Sequence, residues 1–155
     1  MSDSTASGPL PHTREPGLAI ELDLGYDAAT VATKEALKAE GFGILTEIDL
    51  RAAFQEKLGR EFRPYVILGA CNPPLAYKAV TAAPEVGLLL PCNVTVEENP
   101  AGGSIVRLID PQAMLSAGTL ADHPELREVA VDAGIRLERV ATRLRGDAPA
   151  GQSAG

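Results

Sequence analysis

The sequence predicts an α+β fold: a two-layer sandwich with a mixed sheet of about five strands and helices packed on one face. Three observations carry this. Leu18-Ala-Ile-Glu-Leu-Asp-Leu24 alternates apolar and polar residues, the period of a half-buried strand. Leu126, Val129, Ala133, Leu137, Val140 and Leu144 recur at steps of three and four, the period of a helix with one apolar face. The chain has 155 residues and no internal repeat, which suits one domain with a single main core.

The elements follow in order. Strand 18–24 ends at Gly25, and residues 27–40 read as a helix that Asp27 caps and Gly41 stops. Residues 42–49 form a second strand, with Phe42, Ile44, Thr46 and Ile48 on one face and Leu45, Glu47 and Asp49 on the other. Asp49 caps a short helix closed by Gly59, and Leu50, Phe54 and Leu58 align along it. Strand 65–70 leads to Pro73 and Pro74, which suit the first turn of a helix running to about residue 83. Strand 86–97 and strand 104–109 flank the turn Asn99-Pro-Ala-Gly-Gly103 and make an antiparallel hairpin. Asp110-Pro111 starts a short helix over 111–117, and Asp122 with Glu125 resembles a capping box for the last helix.

Composition narrows the function classes. Residues are 45% hydrophobic but only 4% aromatic, with no Trp, so the core is aliphatic. A formal net charge of −7 and a pI near 4.8 disfavour nucleic acid and anionic membrane surfaces, which need clustered Lys and Arg. No apolar run reaches the roughly 20 residues of a membrane span, and no secretory signal pattern opens the chain, so the expected compartment is cytoplasmic. Two cysteines in that compartment are expected to be thiols. Residues 1–17 and 146–155 read as disordered tails around a domain at 18–145.

Five stretches resemble one bacterial family, the domain of unknown function DUF302. They are Gly41-Phe-Gly-Ile-Leu-Thr-Glu-Ile-Asp49, Phe62-Arg-Pro-Tyr65, Leu68-Gly-Ala-Cys-Asn-Pro73, Leu88-Leu-Leu-Pro-Cys-Asn93 and Asp110-Pro-Gln-Ala-Met114. The resemblance implies a small α+β domain of the TBP-like kind, paired into a homodimer, and no established reaction. It carries no DNA binding with it, since function lives in sites rather than folds.

Chemistry is expected where both cysteines sit, each followed by Asn: Cys71-Asn72 and Cys92-Asn93. Cys71 lies six residues after Tyr65 and Cys92 six after Val86. A strand–helix–strand crossover between parallel neighbours would set the thiols at similar heights. Three readings stand side by side: buried structural thiols; a pair that binds a soft metal such as copper(I) or zinc, or cycles through a disulfide; or the wall of a small-molecule pocket with polar groups from Asn72 and Asn93. Asn72 caps the helix that begins at Pro73, and the free N–H groups of that start would lower the pKa of Cys71, making it the reactive thiol. Cys92, inside an apolar run, is the inert one. Glu47 and Asp49, on one strand face, are either acids, bases or ligands, or else solvent-facing residues and, for Asp49, a helix cap; Arg63 and Tyr65 are either polar anchors at a pocket rim or an ordinary surface pair. Met114 is a third sulfur or core filler, and His123 a first-turn residue rather than a base. No catalytic constellation, P-loop or dinucleotide fingerprint is present. The leading expectation is a homodimeric ligand- or metal-binding module at the Cys71/Cys92 region, and an enzyme is neither indicated nor excluded. A thiol redox protein or enzyme using Cys71, and a purely structural partner-binding module, are the alternatives.

Overall fold

Period-two alternation builds the first strand. In β1 (Gly17–Leu22), Ile20 and Leu22 are buried while Ala19 and Glu21 are exposed. The structure, a computed structural model, describes residues 15–146. The tails expected at 1–14 and 147–155 lie outside the described residues, but residues 15–17 do not behave as a tail. Gly17 pairs with Ile109, and the Pro16 carbonyl accepts from Asp110 N at 2.9 Å.

After β1 come α1 (Tyr26–Ala39), β2 (Gly43–Asp49), α2 (Leu50–Leu58), β3 (Tyr65–Cys71), α3 (Pro73–Ala82), β4 (Cys92–Glu98), β5 (Ser104–Ile109), α4 (Pro111–Met114) and α5 (Pro124–Leu144). Short 3-10 turns occupy Pro84–Leu89 and Gly118–Asp122. The five strands form one sheet in the order β1-β5-β4-β3-β2.

Every neighbouring pair is antiparallel, so the sheet is not mixed. The expected parallel crossover between the cysteine strands does not form. Ala70, near the end of β3, pairs with Cys92, the first residue of β4. The link therefore returns to the end of the sheet it left, and α3 packs against α5 as an end cap. The expected strand 86–97 is shortened for a related reason. Pro84 and Pro91 have no N–H to give to a ladder, so the chain coils through a 3-10 turn and pairs only from Cys92.

One sheet face carries Val66, Leu68, Val94, Val96, Val106 and Leu108, all buried against Leu37 of α1 and Leu137 and Val140 of α5. A second apolar cluster lies beyond the sheet end, where Ala79, Val86, Leu115, Leu120, Leu126 and Val129 join α3, the 3-10 turns and the first half of α5. The amphipathic period of α5 thus serves two cores in succession.

Local signals were followed closely at three caps. Asp49 accepts from Ala52 N at 3.0 Å, Asn72 from Leu75 N at 3.3 Å and Asp110 from Gln112 N at 2.9 Å. Two expected caps are displaced. α1 begins at Tyr26 behind Gly25, leaving Asp27 in its first turn. His123 precedes α5 without a side-chain cap bond, because Asp122 closes the preceding 3-10 turn. The Leu50, Phe54 and Leu58 stripe of α2 is not buried, and Leu58 is 65% exposed. Phe54 instead meets the edge of Phe62 at 5.3 Å, and Phe62 meets Tyr65 of β3 at 6.2 Å.

Two buried carboxylates fasten distant segments. Glu40, just past α1, receives Arg139 Nε at 2.7 Å and Arg143 Nε at 2.9 Å from α5. Glu97 of β4 receives Arg63 Nε at 2.6 Å and also Arg107 Nη1 from β5. Burial alone raises both carboxyl pKa values, but the arginine hydrogen bonds and charges outweigh it and hold both below the usual range.

Candidate functional site

The end of the sheet where β3 stops and β4 starts opens into a cavity of about 350 Å³. It is the seam between the two apolar clusters. Phe42 and Ala70 belong to the sheet core, whereas Ala79, Leu115 and Val129 belong to the second cluster, and all five border the space. The volume lies at the small end of the roughly 300–1,000 Å³ typical of small-molecule sites. The wall is almost wholly apolar, and Cys71, Asn72, Cys92 and Met114 supply its sulfur and amide groups.

Of the residues singled out in the sequence, Cys71, Asn72 and Cys92 meet here. Asn93 does not: it is exposed, one step along β4, and pairs with Gly69. Glu47 is bound to Lys34 at 2.7 Å on the surface, and Arg63 is spent on Glu97 and lies over the Phe62 ring at 4.5 Å. These three belong to surface and framework. Met114 reaches the cavity, where its flexible thioether fills wall space.

The thiols are one register step apart. Cys92 pairs with Ala70, while Cys71 pairs with Gly43 on the other side of β3. Successive side chains on a strand point to opposite faces. Cys92 therefore joins Val94 and Val96 on the core side, and Cys71 leaves from the opposite side of the strand end. Both border the cavity because it lies at the strand termini, but they do not make a close pair. Both are free thiols.

The expected activation of Cys71 does not occur. Burial raises its pKa. Burial, with a smaller contribution from the charge of Cys71, pushes Cys92 up to about 11. The chain itself explains why the helix start gives no help. Pro73 and Pro74 have no N–H, Leu75 N is taken by Asn72 Oδ1, and Ala76 N donates to Asn72 O at 2.9 Å. The first four backbone positions of α3 thus offer no free donor to a thiolate.

Asn72 is only 8% exposed. Its cap bond fixes the amide, since Oδ1 must face Leu75 N, which turns Nδ2 toward Gly41. Gly41 adopts a φ of 89°, where a glycine is favoured, and a Cβ there would stand 2.9 Å from Asn72 Nδ2. On the other face of β3, Gly69 lets Pro91 approach: a Cβ on it would lie 2.8 Å from Pro91 Cγ.

Sequence reasoning overlooked most of the cavity wall, including Leu75, Ala79 and Leu90, because these positions read only as helix and strand filler. Among the described residues, no group of three or more His, Cys, Asp and Glu is placed to hold a metal ion. Nor is any helix there long and apolar enough to cross a membrane.

The profile of the family described as "Domain of unknown function DUF302" matches residues 18–144. The chain belongs to the DUF302 family. A crystal structure of an uncharacterized conserved DUF302 protein from Bacillus stearothermophilus is similar in fold. Its TM-score is 0.75 at 29% identity, with 85% of this chain and 100% of that chain covered. No curated protein matches. The DUF302 fold is therefore shared, and the cavity must be read from its own chemistry.

Proposed function

We propose that this DUF302 domain is a non-enzymatic binding module whose cavity beside Cys71 and Cys92 holds a small, mainly apolar molecule. The observation that carries this is the 350 Å³ space between two packed clusters, walled by apolar side chains. A soft metal fits less well. Zinc usually takes four ligands, whereas two thiols with raised pKa values, on opposite sides of a strand end, are a poor donor set. The same protonated thiols weigh against a thiol enzyme.

The test is titration with a neutral apolar fluorophore such as N-phenyl-1-naphthylamine. Saturable binding is expected in the full chain. Ala79→Phe, which places a ring in the cavity, should abolish it while the far-ultraviolet spectrum is kept. Absence of saturable binding to the unmodified chain removes the proposal.

The homodimer belongs to the same proposal. The unburied Leu50, Phe54 and Leu58 stripe of α2 and the exposed Ile48 of the edge strand β2 are what a second copy would cover. Sedimentation velocity that returns a monomer at micromolar concentration rejects this part alone.

A further inference from the structure

We infer that the outer edge of β1 and the facing stripe of α5 form a docking groove for an extended, basic segment of a partner protein, which adds a strand to the sheet. This groove is separate from the cavity described above, and the two spaces share only Pro111.

The first observation is an open edge. β1 is terminal in the sheet order and pairs only with β5, in unbroken register from Gly17↔Ile109 to Leu22↔Ser104. Its other side presents backbone donors and acceptors to no strand among the described residues. Exposed sheet edges are commonly blunted by Lys, Pro or a bulge. The opposite edge, β2, has a break in register between Ile44 and Thr46. β1, Gly-Leu-Ala-Ile-Glu-Leu, has none of these devices.

The second observation is a groove of about 380 Å³ beside that edge. Gly17 and Leu18 border it from β1, and Val131, Gly134, Ile135 and Glu138 border it from α5. Helical spacing sets those four residues on one face. Leu18, Val131 and Ile135 are 38%, 47% and 48% exposed, so the apolar part of the groove is left uncovered. Gly134 stands inside the helix, where glycine is unfavourable. A Cβ on it would meet nothing within 4 Å, so packing does not require the glycine. Its effect is a wider groove.

Charge then selects the occupant. Residues 15–24, Glu-Pro-Gly-Leu-Ala-Ile-Glu-Leu-Asp-Leu, hold three carboxylates and no Lys or Arg. Glu138 adds a fourth from α5. None of the four has an ion-pair partner among the described residues. Arg136 and Arg139, on the same stretch of α5, are committed to Asp132 at 2.9 Å and Glu40 at 2.7 Å. A second copy of this chain fits poorly, because β1 set against β1 would bring like charges together. A foreign strand answers both demands. Its side chains alternate between the two faces of the sheet. Apolar residues would lie on the α5 side with Leu18, Val131 and Ile135, and Lys or Arg on the other side with Glu21. Strand addition of this kind draws affinity from main-chain hydrogen bonds and specificity from the alternate side chains.

The probe is a fluorescein-labelled peptide of alternating valine and lysine, titrated with the full chain by fluorescence anisotropy at low ionic strength, where surface charge is least screened. Saturable binding is expected. It should weaken at least about tenfold when every lysine is replaced by glutamate, and again when all backbone nitrogens of the peptide are methylated. Gly134→Leu fills the groove and should abolish binding with the far-ultraviolet spectrum kept. Ile135→Lys, a change at a half-exposed position, should weaken it by repelling the peptide. Absence of saturable binding up to about 1 mM, the weak end of specific recognition, overturns the inference. So does equal binding of the glutamate peptide, or binding that survives methylation or both variants. A dimer that Ile135→Lys dissociates would seat a second copy in the groove, and tighter peptide binding in Leu10→Asp would seat the chain's own N-terminal residues there. Either result overturns the assignment to a partner.

Discussion

Glu40→Gln isolates the force that holds the end of α1 to α5. The glutamate is 6% exposed and accepts from two arginines, at 2.7 and 2.9 Å. Gln keeps the shape and one acceptor oxygen but loses the charge, so two charge-assisted hydrogen bonds weaken together. Each such bond is worth about 1.5–3 kcal/mol when shielded. Here Arg139 and Arg143 are 46% and 27% exposed, and solvent screening reduces the gain. A loss of about 1–2 kcal/mol in total is expected at pH 7.

The pH dependence supplies the sharper check. Burial raises the Glu40 pKa, the arginines more than reverse this, and the folded value ends below the unfolded one. A depressed carboxyl pKa gives stability that is fully present above the unfolded pKa and fades as pH falls through the folded one. The gap between wild type and Glu40→Gln should therefore be constant from pH 6 to 8 and close below about pH 4.5. Urea denaturation at a series of pH values measures it, with the m-value unchanged. A gap under about 0.3 kcal/mol at pH 7, or one that persists undiminished at pH 3, refutes the account.

Other outcomes follow from the same geometry. With burial raising both thiols and Cys92 pushed up to about 11, iodoacetamide at pH 7 should label neither cysteine quickly in the folded protein and both once it is unfolded; a fast native phase contradicts this. Gly69→Ala should cost about 1–3 kcal/mol, since its Cβ would overlap Thr46 Oγ1 and lie 2.8 Å from Pro91 Cγ, and calorimetry that finds Tm unchanged would show that Thr46 and Pro91 move aside freely. Leu126→Ala, at a fully buried position of the second cluster, should cost about 2–5 kcal/mol by the same calorimetry, and a smaller loss would mean that this cluster is loosely packed.

Much of the fold was legible in local pattern. Alternation located β1, the steps of three and four located α5, and Asp49, Asn72 and Asp110 act as the caps their positions announced. What depended on distant partners was not. Glu40 meets Arg139 and Arg143 across 99 and 103 residues, which no local window spans. The direction of β4 was misread because a helix between two strands usually crosses the sheet, whereas α3 finds its apolar partner on α5 and stays at the sheet end. The reactivity of Cys71 was misread although the signal was present. Pro73 and Pro74, taken as marks of a helix start, also delete the N–H groups that would have favoured a thiolate.

That misreading explains the character of the site. A helix start with free N–H groups would have made the sheet end an anion hole beside a reactive thiol. The two prolines and the Asn72 cap close it. Ala70, Ala79 and Ala133 border the seam, and a longer side chain at any of them would fill it. The cysteines, protonated and on opposite sides of a strand end, then serve as polarizable wall. The centre of this DUF302 domain is thus a space between two cores, walled by apolar side chains and bordered by both cysteines.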